Sequence, residues 1–187
     1  MRRLEEAVAL SKKALERDPM SAFLRFHLGL RYYYTQQWDL AIEQFQKAIE
    51  IDPNYFVSHM MLGVMQLIKE RPEEVIRSFE KAAELAGYPA MELYCKGVAY
   101  AFKGRTNEVK KIIEEMLELE RKTYVSPIKM ASIYRGIGDI DSTFEWLEKA
   151  VDQQDTEIIT LHINPVWNTL QSDPRFQALL RKMNLQP

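Results

Sequence analysis

The feature that most constrains this sequence is a recurrence of small and apolar residues every 34 positions. The small residues at one such position are Gly29, Gly63, Gly97 and Ala131. The larger apolar residues at a second position are Phe45, Phe79, Ile113 and Leu147. No insertion or deletion interrupts the spacing between Ala14 and Ala150. A fixed period of this length predicts a stack of helical repeats in which each repeat covers the apolar face of its neighbour.

The order of residues within one period resembles the tetratricopeptide repeat, a helix-turn-helix unit of about 34 residues. The residues that carry the resemblance are, in order, Leu28, Gly29, Tyr32, Ala41, Phe45, Ala48 and Pro53. The resemblance implies an all-α fold, a right-handed superhelical solenoid of antiparallel helix pairs. A glycine inside a helix costs about 1 kcal/mol relative to alanine. Its recurrence therefore predicts that the two helices of a repeat cross closely at this position.

The period divides the chain into three parts. Residues 1–21 are predicted to form the second half of a repeat or a capping helix. Four repeats follow at 22–55, 56–89, 90–123 and 124–157. Pro165 then falls where a fifth repeat would need its small crossing residue, so residues 158–187 are predicted to be capping helices. In this last part we expect a helix at about 156–163, a short segment at 165–171 and a final helix that ends near Met183.

The C-terminal tail has a resemblance of its own. The residues Asn164-Pro165-Val166-Trp167, followed by Ser172-Asp173-Pro174-Arg175-Phe176, are similar to the endings of bacterial tetratricopeptide regions. Such regions often follow a kinase, cyclase or winged-helix domain. The resemblance is thus compatible with this sequence being part of a longer signalling or transcription-regulating protein.

In the family that the repeats resemble, the first helix of each repeat lines a concave groove. The residues that fall at groove positions here are predicted to bind a partner, and they are Phe23, Phe26, Leu30, Tyr33, Tyr34, Met60, Val64, Met91, Tyr94, Val98, Phe102 and Arg135. They are apolar except at the last position, where Arg135 is available to an acidic group. Family members that hold a terminal carboxylate use Lys, Asn and Arg in these places, so a carboxylate clamp is excluded.

A long apolar groove needs to be covered, and three ways of covering it remain open. An amphipathic helix or apolar peptide of a protein partner could bind in it, which predicts a protein-protein interaction scaffold. Two copies could form a homodimer, which predicts a regulatory module of a larger protein. A tight superhelical twist could instead bury the same side chains within the array.

Composition excludes several other classes of partner. The net charge of −2 provides no basic field for nucleic acid. The sequence contains no apolar run long enough to span a membrane, so no membrane partner is expected. Cys95 is the single cysteine, which excludes an internal disulfide and favours a reducing, cytoplasmic location.

The sequence predicts no enzyme, metal or cofactor. The three histidines, His27, His59 and His162, lack the spacing of a metal site. Cys95 lies among apolar residues of a predicted helix, where a cysteine behaves as a small packed side chain rather than a nucleophile. The glycines at Gly136 and Gly138 mark a turn between helices and lack the lysine of a phosphate-binding loop.

Overall fold

The computed structural model of the protein describes residues 2–69 and 71–185. The predicted terminal segments include residues 1, 186 and 187, and the second predicted repeat includes residue 70; these four lie outside the described residues. Throughout the described part the regular structure is helical, without a strand. The all-α, repeat-type fold class predicted from the sequence is confirmed.

Most of the helices form consecutive pairs joined by short turns. The helices are α1 (Arg2–Arg17), α2 (Ala22–Tyr34), α3 (Trp38–Ile51), α4 (Phe56–Ile68), α5 (Pro72–Leu85), α6 (Pro89–Phe102), α7 (Thr106–Glu120), α8 (Pro127–Gly136), α9 (Ile140–Asp152) and α10 (Pro174–Lys182). Helix α2 packs against α3, α4 against α5, and α8 against α9. The described chain divides into two compact units, and the division falls between Ala99 and Tyr100, inside α6.

In the first unit, the recurring glycines lie where paired helices cross. A Cβ atom built on Gly29 would lie 2.6 Å from Cε1 of Phe45, and one on Gly63 would lie 2.6 Å from Cδ2 of Phe79. Both phenylalanines are fully buried. The predicted close crossing at these two positions is confirmed, because no side chain larger than hydrogen fits beside the rings.

In the second unit, helix α10 closes over α9 through charged and apolar contacts. Phe176, Leu179 and Leu180 form the buried face of α10. On its outer side the guanidinium of Arg175 bonds to Asp141 at 2.8 Å and lies 4.1 Å from the ring of Phe144. The last helix therefore covers the apolar side of α9 within this unit.

The predicted helix at about 156–163 is wrong. The chain there forms only a short 3-10 turn, Ile158–Thr160, followed by a second at Pro165–Leu170. The backbone hydrogen bonds that define the segment span three residues, as from Leu161 N to the Ile158 carbonyl. Just before it, the buried carboxylate of Asp155 accepts a hydrogen bond from the Glu157 amide. This local bond competes with the start of an α-helix.

Candidate functional site

In the first unit, the helices that begin each repeat, α2, α4 and α6, carry a group of apolar side chains that are half-buried or exposed. This apolar face consists of Phe23, Phe26, Leu30 and Tyr34 on α2, Met60 and Val64 on α4, and Tyr94 and Val98 on α6. Met60 and Val64 pack against both hydrophobic clusters of the unit, the one under α2 and the one under α6. The middle of the face therefore rests on the same two clusters as its ends.

Two residues predicted to lie in the groove belong to the core instead. Tyr33 is 2% exposed and Met91 is 5% exposed. The ring of Tyr33 lies between those of Tyr34 and Trp38, with centroid distances of 5.1 and 6.0 Å. At these two positions the side chains support the apolar face from beneath.

The last two predicted residues lie in the second unit. Phe102 is exposed at the end of α6. Arg135 is directed at the C-terminal segment, where its guanidinium lies 5.6 Å from the centroid of the buried Trp167 ring. A guanidinium in this position is held by a cation–π contact.

An aromatic cluster forms the most exposed end of the apolar face. The ring of Phe23, which is 57% exposed, lies 4.2 Å from that of His27. Phe26 lies 5.3 Å from His27 and 5.6 Å from Tyr55, in both cases edge to face. Sequence reasoning missed Tyr55, which directly precedes α4. The sequence signal that could have identified it is an aromatic residue immediately before the first helix of a repeat.

His27 is the member of this cluster whose ordinary pKa lies closest to neutral pH. Its partial burial, followed by the charge of Arg31, lowers its pKa below the ordinary value. A buried imidazole with a cationic neighbour resists protonation. The aromatic end of the face is therefore uncharged at neutral pH.

This lowered pKa predicts a pH dependence of stability. In the unfolded chain His27 takes up a proton near pH 6.5, whereas the folded protein takes it up only at lower pH. The unfolded state then binds more protons, so the free energy of unfolding should fall as the pH drops below about 6.5. We expect this fall to be smaller in His27→Gln, measured by urea unfolding at several pH values. Since His59 and His162 are retained in both proteins, equal slopes would contradict the assignment to His27.

The described residues offer no metal site and no exposed thiol. No group of three His, Cys, Asp or Glu side chains among them could hold a metal ion. Cys95, the single cysteine, is completely buried in the core of the first unit. None of the helices in the described part of the chain is both long and apolar enough to cross a membrane.

Comparison with known proteins agrees with this architecture. Residues 29–67 match the family model of the TPR repeat. Among solved structures, TTC0263, a thermophilic TPR protein of Thermus thermophilus, superposes with a TM-score of 0.64 at 18% identity, over 96% of this chain and 91% of that one. PilW, described as a widely conserved type IV pilus biogenesis factor, has a TM-score of 0.60 at 20% identity, over 96% and 86% of the two chains.

A third solved structure is described as a TPR protein with an unusual peptide-binding site. This protein, YrrB, has a TM-score of 0.52 at 24% identity, over 86% of this chain and 83% of its own. A search of curated proteins gives no significant match. At these identities the structural similarity establishes the fold.

Proposed function

Because the chain has the fold of tetratricopeptide-repeat proteins and carries a matched repeat, we propose that it is a protein-protein interaction scaffold. Its apolar face binds an amphipathic helix or apolar peptide. The similarity to YrrB, a TPR protein with a peptide-binding site, supports this kind of ligand. The role is one of binding without catalysis, and a cytoplasmic setting is compatible with the single cysteine, which can form no internal disulfide.

The observation that carries the proposal is the exposure of large apolar side chains at one end of the apolar face. Phe23 is 57% exposed, and the adjoining Phe26, Leu30 and Tyr34 are only half-buried. Large contiguous apolar surface is rare on soluble monomers, and it marks sites of association. Aromatic rings supply rigid contact area, while the flexible thioether of Met60 adapts to different ligand shapes.

The chemistry of the face restricts the ligand. All eight of its side chains are uncharged, so a charged group brought against them would lose water without gaining an oppositely charged partner. A suitable ligand therefore presents apolar anchors to the face and keeps its charges at the rim. In a helical ligand these anchors recur at intervals of three or four residues.

The two alternatives for covering the groove are burial within the array and homodimerisation. Tyr33 and Met91 are buried within the array, but Phe23 is not, so self-burial accounts for only part of the predicted groove. A homodimerisation module would need a different surface if the apolar face is to remain open to a peptide. The predicted regulatory role within a larger signalling protein is compatible with either surface.

We expect a charged substitution on the face to abolish peptide binding while the fold is retained. Peptides selected from a randomised display library on the wild-type protein would be titrated by fluorescence anisotropy. The triple variant Tyr34→Asp, Met60→Asp, Tyr94→Asp and the single variant Phe23→Glu should each weaken binding at least about tenfold, or 1.4 kcal/mol. Circular dichroism checks the helical content of each variant. Phe23→Glu alters an exposed ring and is the variant least able to disturb the core.

The matched control places carboxylates on second helices of the same unit. Gln46→Asp on α3 and Arg77→Asp on α5 both alter exposed positions away from the face. They should leave the affinity unchanged. Equal losses in the control and face variants, or undiminished binding by folded Phe23→Glu, would refute the proposed site.

A further inference from the structure

A small cavity lies at the turn between α5 and α6, within the first unit. It has a volume of about 420 Å³ and is lined by Ala83, Glu84, Gly87, Tyr88, Pro89 and Glu92. Gly87 has a positive φ of 71°, a backbone conformation that glycine adopts without strain. A Cβ atom built on Gly87 would meet no atom closer than 4.0 Å, so the turn leaves open space at this residue.

Two carboxylates line the cavity, one from each helix. Glu84 on α5 pairs with Lys81 at 3.0 Å, and Glu92 on α6 pairs with Lys96 at 2.5 Å. In each pair the lysine contacts one carboxylate oxygen, and the second oxygen accepts no hydrogen bond from the residues that the structure describes. A carboxylate has about four acceptor sites. Both glutamates therefore retain acceptor sites for a donor that enters the cavity.

An aromatic ring completes the wall of the cavity. Tyr88 lies midway between Glu84 and Glu92 in the sequence, and it is 49% exposed. The face of a tyrosine ring attracts a cation. A guanidinium is planar, stacks on aromatic rings and donates two parallel hydrogen bonds to a carboxylate. An exposed ring beside two carboxylates is therefore suited to an arginine side chain.

The cavity is connected to the apolar face through Phe56, the first residue of α4. The rings of Phe56 and Tyr88 meet edge to face, with centroids 6.3 Å apart. Phe56 in turn packs against the same hydrophobic cluster as Met60, Val64 and Tyr94, which belong to the apolar face. A peptide that lies on this face can therefore extend a side chain towards the cavity.

We propose that the cavity binds a basic side chain, arginine in preference to lysine, of the peptide that occupies the apolar face. This inference rests on the proposed function, because it adds a feature to the same ligand. The guanidinium stacks on the Tyr88 ring and donates hydrogen bonds to Glu84 and Glu92. The lysines already paired with these carboxylates do not prevent this, because exposed ion pairs within one helix are weak.

Peptide selection on the full chain tests the proposal. Peptides selected from a randomised display library on the wild type should carry a basic residue at a fixed distance from their apolar anchors. A second selection on the double variant Glu84→Gln, Glu92→Gln should lose the basic residue and keep the apolar anchors. The double variant Glu50→Gln, Glu73→Gln has the same net charge and alters exposed carboxylates elsewhere on α3 and α5, so the basic residue should persist.

A synthetic pair of peptides measures the contribution of the charge. One selected peptide is prepared with arginine and with citrulline, which has a similar shape without the charge. Citrulline should weaken binding to the wild type at least about threefold, measured by fluorescence anisotropy, and the difference should shrink as salt is added. Tyr88→Phe retains the ring and should distinguish the two peptides as the wild type does, whereas Tyr88→Leu should distinguish them less.

The outcomes separate this proposal from the proposed function. Selected peptides with apolar anchors but without a recurrent basic residue overturn the cation site and leave peptide binding by the apolar face intact. Equal affinities of the arginine and citrulline peptides for the wild type have the same consequence, as does full discrimination by Glu84→Gln, Glu92→Gln. Failure of the wild type to select any peptide overturns both.

Discussion

Gly63→Leu is expected to lower the free energy of unfolding by about 3 kcal/mol, the upper part of the range for overpacked cores. Even the first added atom would lie 2.6 Å from two carbons of the Phe79 ring, well inside the separation of about 3.5 Å at which carbon atoms attract. Phe79 is 1% exposed and belongs to the hydrophobic core of the first unit. The pair α4 and α5 would have to separate, and thermal unfolding followed by circular dichroism would show a strongly reduced melting temperature.

A double variant isolates the steric cause. Gly63→Leu combined with Phe79→Ala transfers the bulk from one helix to the other, so the combined loss should be smaller than the sum of the two single losses. Gly104→Leu is the control, because a Cβ at that glycine meets no atom within 4 Å. Its positive φ of 66° still carries a backbone cost of about 1 kcal/mol. A melt of Gly63→Leu equal to that of the wild type, or strict additivity in the double variant, would contradict the close crossing.

The helix crossings were predictable because they depend on a local pattern that repeats. Within one repeat, the sequence contains both partners of the contact: a glycine and, 16 residues later, a phenylalanine, as in Gly29 and Phe45. The helix bounds follow for the same reason, since Pro72 and Pro127 are each the first residue of a helix.

The candidate site was only partly predictable, because exposure depends on neighbours that the period does not specify. Position within a helix gives the direction of a side chain, but Tyr33 is buried through its contact with Trp38 on the next helix. The guanidinium of Arg135 lies 5.6 Å from the ring centroid of Trp167, a residue outside the repeat pattern, and the sequence did not predict this contact. Both differences come from side chains that meet across turns and caps, where the recurrence gives no guidance.

Asp155→Ala is expected to destabilise the second unit by about 3 kcal/mol, because it leaves several polar groups without their charged acceptor. The carboxylate is 3% exposed. It accepts hydrogen bonds from Tyr124 Oη at 2.9 Å, from Ser126 Oγ at 2.6 Å and from the Glu157 amide at 2.8 Å. It thus joins the segment before α8 to the segment after α9. Urea unfolding monitored by tryptophan fluorescence would measure the loss.

The pKa of Tyr124 provides a second, independent test of the hydrogen bonds around Asp155. Although 61% of its surface is exposed, burial at the hydroxyl and then the hydrogen bond to Asp155 raise the pKa of Tyr124 to about 12. An unfolded tyrosine ionises near pH 10, so this stabilising contribution is complete below pH 10 and is lost as the pH rises towards 12. Asp155→Asn should lower the pKa of Tyr124, observed by ultraviolet titration against a Tyr124→Phe reference.

Asp152→Ala is the matched control, since it removes a carboxylate from the same turn region. Asp152 pairs with Lys182 at 2.5 Å, but its side chain is 61% exposed. An exposed ion pair contributes at most about 1 kcal/mol. The difference between the two alanine variants therefore measures the effect of burial and of the converging donors. Equal losses from Asp155→Ala and Asp152→Ala would mean that the buried carboxylate does not hold these segments together.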